Sequence, residues 1–211
     1  MNKINVLGLG PGNKKYILPI VMEKIRGSDV IIGGKRNVES VQEDMESKEI
    51  LYIKSILIGL VEYIKRNRQK KISVIVSGDT GFYSFLTFLK SHFLDSELEV
   101  IPGISSIQYM FSKISDYWYD AYVGSMHGKE FDFIKKLKEY GKLGLLTDNK
   151  STPQEIAREL IKNKMDKALI YVGENLSYEN EKIYEYNAKD LANIEYKFEM
   201  NVTVLKWKTE N

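Results

Sequence analysis

Short apolar runs alternate with amphipathic segments through the first half of the chain, which predicts strand and helix units around a mostly parallel sheet. Residues 4–9, 30–32, 50–53, 72–77 and 98–101 read as buried strands, because each run is short and rich in β-branched side chains. Leu57, Leu60, Val61 and Ile64 recur at helical spacing, as do Phe82, Phe85, Leu86, Leu89 and Phe93. Two core-facing helices are predicted there, the first ending in the solvated charge run 65–71. Around residues 114–119 the periodicity breaks in a cluster of Asp116, Tyr117, Trp118, Tyr119 and Asp120. That break predicts an N-terminal α/β domain over 1–114 and a C-terminal one over 119–211. In the second half, strands are predicted at 121–125, 143–146, 168–173, 183–186 and 202–207. Thr152, Pro153, Gln154 and Glu155 supply an N-cap, a first-turn proline and a capping-box acid, predicting a helix over 153–163.

Composition narrows the classes. A chain of 211 residues with 43% hydrophobic and 28% charged residues supports a globular core. Its 31 basic and 29 acidic residues leave a net charge of +2, no footprint for a polyanion, so nucleic acid is not an expected partner. The absence of cysteine excludes disulfides, thiolate metal ligands and cysteine nucleophiles, and no metal site is expected. No apolar stretch approaches the length of a membrane span, and the chain opens on a strand pattern rather than a signal sequence. A cytoplasmic protein with no membrane partner is expected.

Three glycine loops carry the candidate chemistry. Gly8, Gly10, Pro11 and Gly12 follow the first strand directly, where a ligand or another backbone can approach closely. A dinucleotide site is the first reading, and two details oppose it. The third fingerprint position is Asn13 rather than glycine, and Pro11 lacks the N–H that a phosphate would use. The ribose-binding acid is missing as well, since Asp29 precedes the second strand instead of ending it. A tight turn with no ligand is the plain alternative. The second loop, Ser77, Gly78, Asp79, Thr80 and Gly81, leaves the strand over 72–77. Asp79 there either serves a ligand or caps the next helix. The third, Pro102, Gly103, Ile104, Ser105 and Ser106, follows another strand in the same topological position. Three such loops converging on one sheet edge would make a pocket.

In order and spacing these loops resemble the tetrapyrrole methylase family. That family opens with a strand and a Gly-x-Gly-Pro-Gly turn, carries a Gly-Asp-Pro-like loop after a central strand, and then has a Val-Ile-Pro-Gly-Ile-Ser-Ser segment. Residues 8–12, 78–80 and 100–106 match, with Thr80 where many relatives have proline. Gly33, Gly34 and Arg36, the segment Ser125, Met126, His127 and Gly128, the run Leu146, Thr147, Asp148 and Asn149, and the run Gly173 to Tyr178 look like the branch that methylates C5 of a cobalt-precorrin.

The resemblance implies a two-domain α/β fold, each domain a mixed sheet with flanking helices, with the active-site cleft between them. It implies S-adenosylmethionine as cofactor, S-adenosylhomocysteine as product, a tetrapyrrole lying in a trough beside it, and a homodimer. Cofactor contacts carry over to Pro11, Gly78, Asp79, Phe82, Ser105 and Ser106. In the second domain they fall on Leu146 or Thr147 and on one of residues 173–176, with Asn175 the candidate. Gly10, Gly12 and Arg36 are the substrate-side candidates. A guanidinium can grip a carboxylate arm with two hydrogen bonds, so Arg36 is preferred over Lys35 and Lys129.

Methyl transfer from a sulfonium is an in-line displacement, so the protein must supply alignment, a dry site and removal of a proton, but no nucleophile. Of the two histidines, His92 is expected at the surface of a helix, whereas His127 lies in a loop after the first strand of the second domain. His127, Asp148 and Glu174 are the candidate bases. With no second methylase after the last strand, a separate partner is expected to carry out C15 methylation and decarboxylation. Relatives that methylate an elongation factor or ribosomal RNA, and a non-catalytic nucleotide-binding module, stand as alternatives.

Overall fold

In the first strand, β1 (Ile4–Gly8), Ile4 and Val6 join one hydrophobic cluster while Leu7 joins another, and all five residues are buried. The same two-faced pattern recurs in β2 (Val30–Gly33) and β4 (Ile72–Val76). Strands apolar on both faces demand cover on both, the signature of a parallel sheet flanked by helices. In the computed structural model, which describes residues 1–53, 57–126 and 131–207, these strands pair with β3 (Glu49–Tyr52) and β5 (Leu98–Ile101) in the order β3-β2-β4-β1-β5. Every pairing in this sheet is parallel.

On one face, α1 (Pro19–Arg26) buries Val21 and Ile25, and α2 (Lys35–Ser40) buries Val38, beside Leu7, Ile31 and Ile75. On the other, α3 (Ile58–Arg66) buries Val61 and Ile64, and α4 (Leu86–Lys90) buries Leu89, beside Val6, Ile32 and Val74. The helix predicted from Phe82 onward is thus confined to Leu86–Lys90. Tyr83 takes a left-handed φ of 48°, which no α-helix accommodates, and residues 82–85 form bends and a turn instead.

The chain divides into two compact units, Met1–Ser105 and Ser106–Asn211. α5 (Ser106–Lys113) therefore opens the second unit, ahead of the stretch where the sequence pattern breaks. That unit also holds β6 (Tyr122–Ser125), α6 (Phe133–Tyr140), β7 (Lys142–Leu146), α7 (Pro153–Lys162), β8 (Leu169–Glu174), β9 (Lys182–Asn187), α8 (Ala188–Ala192) and β10 (Asn201–Lys206). Its sheet runs β6-β7-β10-β8-β9, with β6 parallel to β7 and the other pairs antiparallel. Leu143, Leu145, Ile170, Val172 and Leu205 form one face, covered by Leu137 of α6, Ile156 and Leu160 of α7 and Leu191 of α8. On the opposite face α5 fits closely over glycine. A Cβ on Gly144 would lie 2.9 Å from Ile107 and 3.1 Å from Phe111. α7 begins as its sequence predicts: Thr152 Oγ1 accepts from Glu155 N at 3.2 Å. The capping box is only half formed, because the Glu155 carboxylate pairs with Arg158 instead of reaching back.

Candidate functional site

Because β4, β1 and β5 are neighbours in a parallel sheet, the three loops that follow them leave from one edge. The glycines let these loops touch backbone to backbone. Gly10 N donates to Gly78 O at 3.1 Å, and Gly78 N donates to Gly10 O at 2.8 Å. Both glycines have positive φ, 77° and 67°, the region where a side chain is strained. A Cβ on Gly8 would meet Gly103 N at 2.5 Å and Gly78 O at 2.8 Å, and one on Gly103 would strike Gly78 O in turn.

Asp79 fastens this crossing. Its Oδ1 accepts from Gly81 N at 2.8 Å, and its Oδ2 accepts from Gly103 N at 3.1 Å. It caps no helix: α4 begins seven residues later. It is instead a strut between the second and third loops. A carboxylate has about four acceptor positions, so each oxygen keeps capacity for a ligand's hydroxyl or ammonium group. The amides are in the opposite condition. Those of Gly10, Gly78 and Gly103 are engaged within the loops, and Pro11 has none, so these four positions offer no N–H to a pyrophosphate. The spare acceptor capacity of Asp79 suits the hydroxyls and ammonium of an S-adenosyl amino acid.

The other first-unit candidates lie around this edge. Pro11 and Ser105 are buried, Gly12 is half-buried with φ 147°, and Ser106 is the first residue of α5. Phe82, half-buried, lies in the loop after Asp79 with its ring edge-on to Tyr83 at 4.8 Å. Arg36 is exposed in the first turn of α2, after the carboxyl end of β2. His92 is exposed beyond α4, with Nδ1 3.0 Å from Phe88 O. His127 and Lys129 lie outside the described residues.

In the second unit the candidates gather at the ends of β7 and β8. Leu146 ends β7. Thr147 is buried, its Oγ1 donating to Asn201 O at 3.0 Å and to Asn201 Oδ1 at 2.6 Å. Asp148 closes a turn: its Oδ1 accepts from Lys150 N at 2.8 Å and from Ser151 N at 2.7 Å. Glu174 is only 2% exposed and is wrapped by donors. Glu199 N donates to its Oε1 at 2.6 Å, Tyr196 Oη to its Oε2 at 3.1 Å and Tyr184 Oη to its Oε2 at 3.3 Å. The Glu174 carboxylate, with help from Tyr184, holds the Tyr196 phenol up to about 12. Glu174 therefore accepts protons in hydrogen bonds that brace the end of β8.

Next to it, Asn175 and Ser177 both adopt positive φ, 48° and 71°. This turn is pinned at each point: Asn175 N donates to Met200 O at 2.9 Å, Asn175 Nδ2 to Glu199 Oε2 at 2.5 Å, and Ser177 N to Glu181 Oε2 at 2.6 Å. Burial pushes the Glu181 carboxyl up, but Lys113 at 2.6 Å and the Ser177 amide hold it below its ordinary value. Glu199, Tyr196 and Tyr184 carry no motif, so sequence reasoning passed over them. The signal lies only in the register that sets β8 between β9 and β10.

The profile of the family described as Tetrapyrrole (Corrin/Porphyrin) Methylases matches residues 3–192. A relative named cobalt-precorrin-7 C(5)-methyltransferase, from Salmonella typhimurium, is 33% identical over 202 residues, covering 96% of this chain and 98% of its own. The crystal structure of a precorrin-6Y methylase from Archaeoglobus fulgidus superposes with a TM-score of 0.75 at 22% identity, covering 98% of this chain and 99% of that one. A uroporphyrin-III C-methyl transferase from Thermus thermophilus, solved with S-adenosylhomocysteine, reaches 0.73 at 17% identity, covering 97% and 92%. From its glycine-loop edge, its near full-length match to a curated relative and its fold, the chain belongs to the tetrapyrrole methylases.

Proposed function

We propose that this protein is an S-adenosylmethionine-dependent C-methyltransferase that methylates C5 of a cobalt-precorrin in cobalamin biosynthesis. The observation that carries the reading is the single edge where the loops after β1, β4 and β5 meet, with spare acceptor capacity at Asp79, in a chain 33% identical to the Salmonella enzyme named for that methylation. When bound, the cofactor supplies an electrophilic methyl group. The chain's own residues orient and desolvate. Asp79, Gly78, Pro11, Phe82, Ser105 and Ser106 hold the cofactor in the first unit. Leu146, Thr147 and Asn175 are its candidates in the second. Gly10, Gly12 and Arg36 face the substrate, Arg36 taking a carboxylate arm.

Proton removal falls to Asp148 or His127 in this reading, while Glu174, encased by phenols and an amide, braces the turn that presents Asn175. The protein works as a cytoplasmic homodimer alongside a separate C15-methylating, decarboxylating partner. The test is direct. Incubation with isotopically labelled S-adenosylmethionine and a cobalt-precorrin lacking the C5 methyl should place one label on C5, located by nuclear magnetic resonance. Label on C15, or on protein or RNA in place of the corrin precursor, would overturn the reading.

A further inference from the structure

The cofactor assignments leave Tyr83 unused, and three observations single it out. Its φ of 48° puts a bulky side chain in the left-handed region, where such residues are outliers. Its ring is 64% exposed, and among the described residues its ring contact is the edge-on approach to Phe82. Among the described residues no hydrogen bond holds its hydroxyl. Finally, Tyr83 follows β4 on the loop that carries Asp79, at the carboxyl edge where Tyr52 ends β3 and Tyr16 follows β1, both also exposed.

The backbone at this position is strained, and most of the ring lies in solvent. Backbone strain at an exposed side chain, next to a candidate site, points to a functional position. The strained backbone turns a flat amphipathic surface outward beside the proposed cofactor loop. The ligand such a surface suits is one with a flat face, because a ring stacked on a plane gains contact area without the entropy cost of a long side chain.

Resting on the methyltransferase reading above, we propose that Tyr83 is the platform on which the flat face of the tetrapyrrole packs, and that it sets the depth at which the macrocycle meets the cofactor loop. Tyr83→Asn tests this, since asparagine tolerates the left-handed backbone but removes the ring. The probe is a cobalt-precorrin lacking the C5 methyl, whose visible absorption reports binding without turnover. The dissociation constant for this probe should rise roughly three- to tenfold, the range expected for one lost ring contact. The thermal midpoint should not fall, and calorimetric affinity for S-adenosylhomocysteine should stay within about twofold of wild type. Tyr83→Phe, which keeps the ring, should lose only a fraction of what Tyr83→Asn loses.

Unchanged probe affinity in Tyr83→Asn would overturn the proposal. So would a lower thermal midpoint with parallel losses for both ligands, which would make the ring part of the loop's own fold. If the wild-type protein binds the probe but transfers no methyl, the activity reading fails and the affinities still decide Tyr83. If the wild-type protein binds no probe at all, both fall.

Discussion

At the scale of single residues, Asp79 is a strut in the structure and a cofactor ligand in the proposed function, and one substitution tests both. Its oxygens tie Gly81 N and Gly103 N, so Asp79→Ala should cost about 1–2 kcal/mol of stability, read by urea denaturation, in addition to weakening S-adenosylhomocysteine binding by roughly tenfold, read by calorimetry. A loss of stability with normal affinity would confine Asp79 to the strut. Thr203 makes the opposite case. Its hydroxyl is buried in β10, between Leu145 and Val172 in the ladder, and has no hydrogen-bond partner among the described residues. Thr203→Val keeps the shape and removes the unsatisfied group, so the protein should gain about 1 kcal/mol, visible as a raised thermal midpoint.

At the scale of elements, the end of β8 is built on a proton. Tyr196 donates to Glu174, and its phenol is held up to about 12 from an ordinary value of 10.0. A group raised on folding contributes stability that is whole below the unfolded value and lost as pH climbs through the folded one. The wild-type denaturation midpoint should therefore drop between about pH 10 and 12 more steeply than that of Tyr196→Phe. This network was illegible in the sequence, because Tyr184, Tyr196 and Glu199 reach Glu174 through strand pairing and a following loop. Strand positions were legible throughout, since apolar runs mark β1 to β5 and most of β6 to β10 without reference to partners. α7 was legible too, because Thr152 and Pro153 signal locally. The Phe82 helix was overread: apolar spacing at 82, 85, 86, 89 and 93 satisfies a helix pattern, but Phe82 and Phe85 belong to the loop, and only Leu89 and Phe93 are fully buried. Strand order was beyond reach, and it is strand order that brings residues 8, 78 and 103 together.

At the scale of the molecule, the proposed site at the loop edge is tested by two classes of adenosine-bearing ligand. Anything that binds the folded state alone raises its stability by mass action, by about 2.7 kcal/mol when present at 100 times its dissociation constant. S-adenosylhomocysteine should raise the thermal midpoint in that manner, while NAD at equal concentration should leave it unchanged, because the amides of Gly10, Gly78 and Gly103 are already committed and Pro11 has none. A shift with NAD and none with S-adenosylhomocysteine would reverse the assignment of the site.

The crossing of Gly8, Gly78 and Gly103 also bears on how such a chain can change over generations. A Cβ on either Gly8 or Gly103 would collide with the other glycine's backbone, so enlarging one position cannot be compensated by shrinking the other, which has nothing left to give up. Neither position can be the first to change, and no neutral intermediate connects this loop path to one that carries a side chain. Phe82 and Tyr83 already carry side chains at that edge, so exchanging one of these for another meets no such backbone collision. Descendants of this protein are thus free to alter what they hold at that edge far sooner than how the edge is built.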